Sequence, residues 1–131
     1  MPSEPRFLKL DEVLAIHAQQ IELYGGSPGL RDGGLLESAL AMPAASFGGA
    51  YLHGTLHEMA AAYLFHLASN HPFVDGIKRV GLAAAGAFLG MNGMRLVASE
   101  DQVVDITLGV AAGTATKADV AVFLQEFTEP R

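Results

Sequence analysis

Apolar residues recur along the chain at the three-to-four-residue spacing of amphipathic helices. The clearest stripe follows a Thr55–Glu58 capping box and predicts a helix that ends near Asn70. The same spacing, bounded by capping residues and glycines, predicts further helices along the chain. These are expected over residues 11–24, 33–40, 77–91, 100–112 and 117–127.

The helix expected over residues 77–91 has almost no polar face, so it should be surrounded by the others. Its most apolar part, Val80 to Met91, is 12 residues long, whereas a membrane span needs about 20. We therefore expect an all-α protein without a membrane span. The pattern favours a single domain over residues 1–131, built as a bundle of about six helices around a buried central helix.

Two segments lack helical periodicity. Residues 43–54 are rich in Pro, Ser, Gly and Ala, and we interpret them as a flexible surface segment. Arg95, Leu96 and Val97 are interpreted as a short extended piece between two helices.

Composition narrows the class of protein further. The chain has 131 residues, 50% of them hydrophobic, and no cysteine, which excludes disulfides and thiolate metal sites. Its net charge is -6 with only 8 Lys and Arg, so direct nucleic-acid binding is not expected. The N-terminus has neither the basic start nor the apolar run of a signal peptide, so we expect a cytoplasmic protein.

The start of the 77–91 helix carries charges of the wrong sign for a helix N-terminus. Lys78 and Arg79 lie in its first turn, where the helix dipole disfavours each cation by about 0.3–1 kcal/mol. A bound phosphate would reverse this cost, because it would meet unpaired N–H groups, the dipole and two cationic side chains. Gly76 would let the backbone approach such a ligand closely.

Residues with suitable chemistry precede this helix. His71 can accept a proton from an attacking hydroxyl, and Asp75 can hold Mg²⁺ together with phosphate oxygens. Phe73 is the apolar anchor expected to hold the loop on the core. Each feature alone is more often an ordinary loop or solvated residue. Their conjunction within the nine residues 71–79 favours phosphoryl or nucleotidyl transfer.

A zinc site is disfavoured. His57-Glu58 begins like the helix of a zinc protease, but Ala61 stands where the second His is required. His53, His57 and His66 lack the usual ligand spacing, and we expect His53 to be exposed and the other two to line a helix face.

The segment His71-Pro72-Phe73-Val74-Asp75-Gly76-Ile77-Lys78-Arg79 resembles the Fic/Doc signature His-x-Phe-x-Asp/Glu-Gly/Ala-Asn-Lys/Gly-Arg. Residues 24–29 and 108–113 also resemble the Doc branch, so the likeness extends over nearly the full length. This resemblance implies an all-α fold and a toxin of a type II toxin–antitoxin system.

The resemblance also implies roles for the matching positions. His71 matches the base, Phe73 the structural anchor, and Asp75 the acidic residue near Mg²⁺. The catalytic set is then His71, Asp75, Lys78 and Arg79, and the nucleotide-binding positions are Gly76, Ile77, Lys78 and Arg79.

Two positions favour Doc-type phosphorylation over Fic-type AMP transfer. Lys78 stands where Fic enzymes typically have Gly, and Leu82 where they often have a second Arg. The resemblance then implies ATP as donor, a Ser/Thr hydroxyl of elongation factor Tu as acceptor, and a block of translation. AMP transfer, and an inactive pseudo-toxin that only binds antitoxin, stay open as alternatives.

The one departure within the signature is Ile77, which replaces Asn. An apolar branched side chain cannot hydrogen-bond a phosphate, so we expect this form to be weakened or inactive. In addition, no Glu is followed by Gly or Asn, as the inhibitory motif of Fic proteins requires. Inhibition of the toxin is therefore expected to come from a separate Phd-like antitoxin, whose disordered tail folds into a helix on binding.

Overall fold

The computed structural model describes residues 4–70 and 72–131; for Ile77 and Lys78 it describes the backbone only. Six helices and four short strands occur in these residues, which confirms the all-α expectation. The helices are α1 (Leu10–Tyr24), α2 (Gly33–Ala41), α3 (Leu56–Asn70), α4 (Ile77–Met91), α5 (Glu100–Ala112) and α6 (Lys117–Glu126). The strands are β1 (Ser46–Phe47), β2 (Ala50–Tyr51), β3 (Met94–Leu96) and β4 (Thr128–Pro130).

Side-chain caps start most of the helices where the sequence places them. Asp32, Ser99 and Thr116 each accept a hydrogen bond from a backbone N–H in the first turn of α2, α5 and α6. Thr55 does the same for α3 by accepting from Glu58 N–H at 3.1 Å. Such caps satisfy amides that would otherwise lack partners, so they define helix starts locally.

The core is centred on the packed pair α3 and α4. Helix α4 packs against α1, α3, α5 and β3, and from Val80 to Met91 it has no exposed residue, as expected for a central helix. Helix α3 shares this position, since it packs against α2, α4, α5 and α6. The two helices approach closely because Gly81 faces α3: a Cβ there would lie 3.2 Å from the Leu64 carbonyl oxygen. Among the described residues, no helix combines the length and apolar character that a membrane span requires.

Residues 43–54, interpreted from composition as a flexible surface segment, contain regular structure that was not predicted. They contain an antiparallel β1–β2 hairpin in which Ser46 pairs with Tyr51 and Phe47 with Ala50. The Tyr51 hydroxyl donates to a Glu4 carboxylate oxygen at 2.8 Å, which ties the hairpin to the N-terminal segment. The predicted extended piece near Arg95 is β3, which pairs with β4 at the C-terminus.

Two loops meet at the opposite end of the bundle from this hairpin. They are the α1–α2 loop (residues 25–32) and the motif loop (residues 72–76), which joins α3 to α4. The end of α3 lies beside the start of α2, since Asn70 Nδ2 donates to the Leu35 carbonyl at 3.1 Å. The hairpin, which follows α2 and precedes α3, is therefore separated from the motif loop by the length of these helices.

Candidate active site

Main-chain hydrogen bonds hold the motif loop against the α1–α2 loop. The N–H groups of Arg31 and Asp32 donate to the Pro72 carbonyl at 2.8 and 3.0 Å, and Val74 N–H donates to the Gly29 carbonyl at 2.9 Å. Each bond joins segments that are distant in sequence, so it forms only when α1, α2 and α3 are packed. Backbone hydrogen bonds, as well as side-chain contacts, therefore determine the path of the motif loop.

Phe73 lies in the core with 1% of its surface exposed. Its ring stacks on the imidazole of His17 in α1, with ring centroids 3.8 Å apart and planes 9° apart. Burying a phenyl ring contributes roughly 1.5–3 kcal/mol. Phe73 therefore sits where an anchor of the motif loop is needed.

Asp75 is exposed, and it is held at two atoms. Its carboxylate oxygen Oδ2 accepts from Ser27 N–H at 2.8 Å, and its backbone carbonyl lies 2.8 Å from His17 Nε2. A carboxylate with one oxygen on a backbone amide keeps lone pairs for a cation or a hydroxyl. Within the described residues, no three His, Cys, Asp or Glu side chains gather closely enough to hold a metal.

The donor set around Asp75 therefore fits Mg²⁺ only as an ion that arrives with nucleotide phosphates. Mg²⁺ is commonly bound by one or two carboxylates plus phosphate oxygens and water, and a single exposed carboxylate meets that requirement.

Arg79 lies in the first turn of α4 and is exposed. Its Nη2 donates to the Gly25 carbonyl at 3.3 Å, and its guanidinium carbon lies 5.2 Å from the centre of the Tyr24 ring. These contacts use one of five donors and one face of the guanidinium. The remaining N–H groups are available to an anion at the start of α4.

A cleft of about 200 Å³ opens beside Arg79, between α4 and α5. Its wall is mainly apolar, formed by Leu82, Val104 and Leu108 with Thr107 between the last two. The charged start of α4 thus borders an apolar recess that has one hydroxyl group in its wall.

Gly76 is the N-cap of α4, with a φ of 74°, and it offers no side chain to the first-turn amides. Val80 N–H donates to the Gly76 carbonyl at 2.9 Å, so the amides before Val80 have no acceptor within the helix. A Cβ at Gly76 would lie 3.2 Å from Ile21 Cδ1, so a larger residue would require the Ile21 side chain to shift.

Replacing Gly76 with Ala should lower the free energy of unfolding by about 1–3 kcal/mol, because a left-handed φ and a tight contact both oppose a Cβ. Gly86→Ala is the matched control: Gly86 lies within the same helix, and a Cβ there would meet nothing within 4 Å. That variant should gain about 0.5–1 kcal/mol. Urea unfolding followed by circular dichroism measures the stability of both variants. Equal effects of the two changes would show that position 76 does not require glycine.

The structure brings four of the expected site residues to one end of the bundle, namely Phe73, Asp75, Gly76 and Arg79. His71 lies outside the described residues. The backbone of Ile77 and Lys78 forms the first turn of α4, and their side chains lie outside the description.

Sequence reasoning missed the partners of these residues. His17 occupies an apolar position of the helix expected over residues 11–24, and Ser27 lies in the segment that follows it. The available signal was a histidine at an apolar helical position, since a buried imidazole usually hydrogen-bonds. The contacts of Tyr24 and Gly25 with Arg79 had no signal in spacing or composition.

The other histidines do not form a metal site in the described part of the chain. His53 is buried, with 7% of its surface exposed, so the expectation that it is exposed was wrong. His66 lies on α3 as expected, and its Nε2 accepts from Lys117 Nζ of α6 at 3.1 Å. Burial, followed by the charge of Lys117 and by His53, lowers the pKa of His66 to about 4.

Acid should destabilise the protein through His66. The unfolded chain has a pKa near 6.5 at this residue, so it binds more protons than the folded state between pH 6.5 and 4. Stability should therefore fall as pH decreases through this range. After discounting for partial exposure, the loss between pH 6.5 and 4.5 is about 1–2 kcal/mol.

His66→Gln removes this titration and keeps an acceptor for Lys117. Urea unfolding at several pH values should give a smaller loss for this variant than for the natural sequence. Identical pH profiles would show that His66 does not titrate in this range.

Comparisons with known proteins find matches to the part of the chain that forms this end of the bundle. Residues 7–89 match the model of the Fic/DOC family, a range that includes the α1–α2 loop, the motif loop and most of α4. The chain is 36% identical over 117 residues to "Protein kinase doc" of Escherichia phage P1, covering 88% of this chain and 90% of that protein. It is also 46% identical over 78 residues to "Toxin Doc" of Mycolicibacterium smegmatis, a match that spans 60% of each chain.

The family match covers more than half of the chain, and the relative from phage P1 aligns over most of both proteins. The chain therefore belongs to the Fic/Doc family.

Proposed function

We propose that this protein is a Doc-like toxin that transfers the γ-phosphate of ATP to a Ser or Thr hydroxyl of a protein target. One observation carries the proposal: α4 begins at an uncapped glycine, with the Asp75 carboxylate and the Arg79 guanidinium in loops and turns that adjoin it. A phosphate chain satisfies all three groups together, since it accepts from amides and guanidinium and shares a cation with a carboxylate.

Each group of the candidate site is proposed to have a separate role in the transfer. The target hydroxyl oxygen attacks the γ-phosphorus, the bond to the bridging oxygen breaks, and ADP leaves. His71 is proposed to take the hydroxyl proton. The first-turn amides of α4, with Lys78 and Arg79, bind the phosphate oxygens and stabilise the charge that develops on them.

Asp75 is proposed to hold the Mg²⁺ that accompanies ATP, and the ion would neutralise charge on the phosphate oxygens. The contact of Asp75 Oδ2 with Ser27 N–H restricts where its carboxylate points before any nucleotide binds. Such restriction reduces the entropy lost when substrate and catalytic groups are brought together.

The cleft between α4 and α5 is proposed to take the nucleoside. Its apolar wall suits a base, and the Thr107 hydroxyl offers one polar contact, although that hydroxyl donates to the Val103 carbonyl at 2.8 Å in this structure. Arg79 borders both the cleft and the start of α4, so a nucleotide can extend from one to the other.

Phosphate transfer is favoured over AMP transfer by Lys78 and Leu82, which depart from the Fic pattern at two positions. The relative from phage P1 is named a protein kinase, which is consistent with this preference. The relative from Mycolicibacterium smegmatis is named a toxin, which is consistent with a toxin here. A Phd-like antitoxin and elongation factor Tu are the partners proposed for this chain.

The experiment uses ATP labelled at the α or the γ phosphate, elongation factor Tu, and either the natural protein or its Ile77→Asn variant. Transfer of γ label to the factor supports the kinase, and transfer of α label identifies AMP transfer instead. No label from either form, together with tight antitoxin binding, identifies a non-catalytic pseudo-toxin, the alternative that Ile77 itself favours. Label on other proteins but not on this factor would overturn the proposed target.

A further inference from the structure

His17 makes two contacts with the motif loop, although it lies 58 residues away in sequence from Asp75. It is buried in α1, with 3% of its surface exposed. Its ring stacks on Phe73, and its Nε2 lies 2.8 Å from the Asp75 carbonyl oxygen. One side chain thus contacts the buried anchor of the loop and the backbone of its carboxylate residue.

The partner of His17 determines where its proton lies. A carbonyl oxygen only accepts hydrogen bonds, so Nε2 must carry the hydrogen and donate it to Asp75. Flipping the ring over would keep its stack on Phe73 but would move Nε2 away from Asp75, so the hydrogen bond selects the orientation of the ring. The imidazole is therefore locked in one orientation and one tautomer when it is neutral.

The backbone carbonyl and the side-chain carboxylate of Asp75 are therefore both held, one by α1 and the other by the loop that follows it. Its carbonyl accepts from His17, and its carboxylate accepts from Ser27 N–H, which follows the C-terminus of α1 by a few residues. Two fixed points on one residue leave little freedom for its side chain. Loss of either should let the carboxylate move relative to the start of α4.

The close packing at Gly76 supports the same assignment. A Cβ at Gly76 would lie 3.6 Å from His17 Nε2 and 3.2 Å from Ile21 Cδ1. Helix α1 therefore packs directly against the turn from which α4 begins. His17 thus lies beside both Asp75 and Gly76, the two residues that precede α4.

We propose that His17 is a positioning residue for the transfer reaction, which sets the Asp75 carboxylate where it meets the cation of a nucleotide. The assignment rests on the proposed function, and it acts through Asp75 alone, because no contact of His17 with substrate is invoked. Residues that orient a metal-binding side chain typically change metal affinity by about 10–100-fold when they are removed.

Two variants separate the two contacts of His17. His17→Phe keeps a ring to stack on Phe73 and removes the donor to Asp75. His17→Gln keeps an amide donor near the position of Nε2 and removes the stack. His57→Gln, a histidine change on α3 at the opposite end of the bundle, is the control.

Hydrogen exchange of the Val74 N–H, which donates to the Gly29 carbonyl, is the first measurement, because it requires no activity. His17→Phe should speed its exchange about tenfold or more, whereas His17→Gln and His57→Gln should leave it within a few-fold of the natural protein. Unchanged exchange in His17→Phe would overturn the proposal. If His17→Phe fails to fold, His17→Gln decides: fast exchange in a folded His17→Gln overturns the proposal, and a protected amide supports it.

Kinetics in the Ile77→Asn background is the second measurement. His17→Phe should raise the Mg²⁺ concentration needed for half-maximal transfer by about 10–100-fold. In His17→Gln this concentration should stay close to that of the parent protein. A purely structural role would instead lower the fraction of active protein without changing this concentration. If exchange responds as expected while no variant transfers phosphate or AMP, the catalytic proposal fails and the contact between His17 and Asp75 stands.

Discussion

Ile77→Asn should raise phosphate transfer by about 10²–10³-fold, which is the largest gain expected from any single change in this chain. Position 77 is the first residue of α4, directly after the Gly76 N-cap, at the end of the helix where the phosphates are proposed to bind. An Asn side chain there supplies a hydrogen-bond donor to a phosphate oxygen, and the apolar Ile side chain supplies none. Transfer of γ label, and growth arrest when the protein is expressed, measure the gain.

Ile77→Ala is the control for this experiment. It removes the bulk of Ile without adding a polar group, so it should stay near the activity of the natural protein. If Ala and Asn raise transfer equally, the lesion is steric and the hydrogen-bond argument is wrong. If neither raises it, Ile77 is not the cause of any weakness in this form.

Asp75→Asn, combined with Ile77→Asn, should lower transfer by about 10²-fold or more relative to Ile77→Asn alone, because it removes the one carboxylate proposed to share Mg²⁺ with the phosphates. An amide oxygen can still accept from Ser27 N–H, so the motif loop should keep its position and the thermal midpoint should change little. The loss should be accompanied by weaker Mg²⁺ dependence of nucleotide binding, which titration calorimetry with and without Mg²⁺ can measure.

Glu126→Gln provides the matched control for charge. It also removes one carboxylate, but it lies at the end of α6, next to the β3–β4 ladder and far from the motif loop. It should leave transfer within about twofold of the parent. Full activity of Asp75→Asn would show that this carboxylate has no part in the reaction.

The helices were predictable because their boundaries are local. Thr55, Ser99 and Thr116 cap amides three residues away, and Gly113 ends α5 in the left-handed conformation. Such interactions involve neighbours in sequence, so they can be identified without knowledge of the fold. The hairpin at residues 46–51 was missed because small residues and glycines are common to hairpins and to unstructured loops.

Part of the candidate site could also be predicted from the sequence. Gly76, Lys78 and Arg79 stand out because cations at a helix start oppose the dipole, and Asp75 stands out beside them. The fold then added groups that no local pattern identifies. Ser27 is 48 residues from Asp75, and Gly25 is 54 residues from Arg79. Contacts between residues so far apart in the chain leave no periodic pattern in the sequence.

By itself the sequence determined the helices and their caps, and it predicted the segment of the candidate site, because all of these depend on residues close together in the chain. The tertiary structure alone decided which groups hold that segment in place. His17 on α1 became a partner of Asp75 only when α1 packed beside α4, since contacts between distant segments form through burial of surfaces and not through sequence spacing.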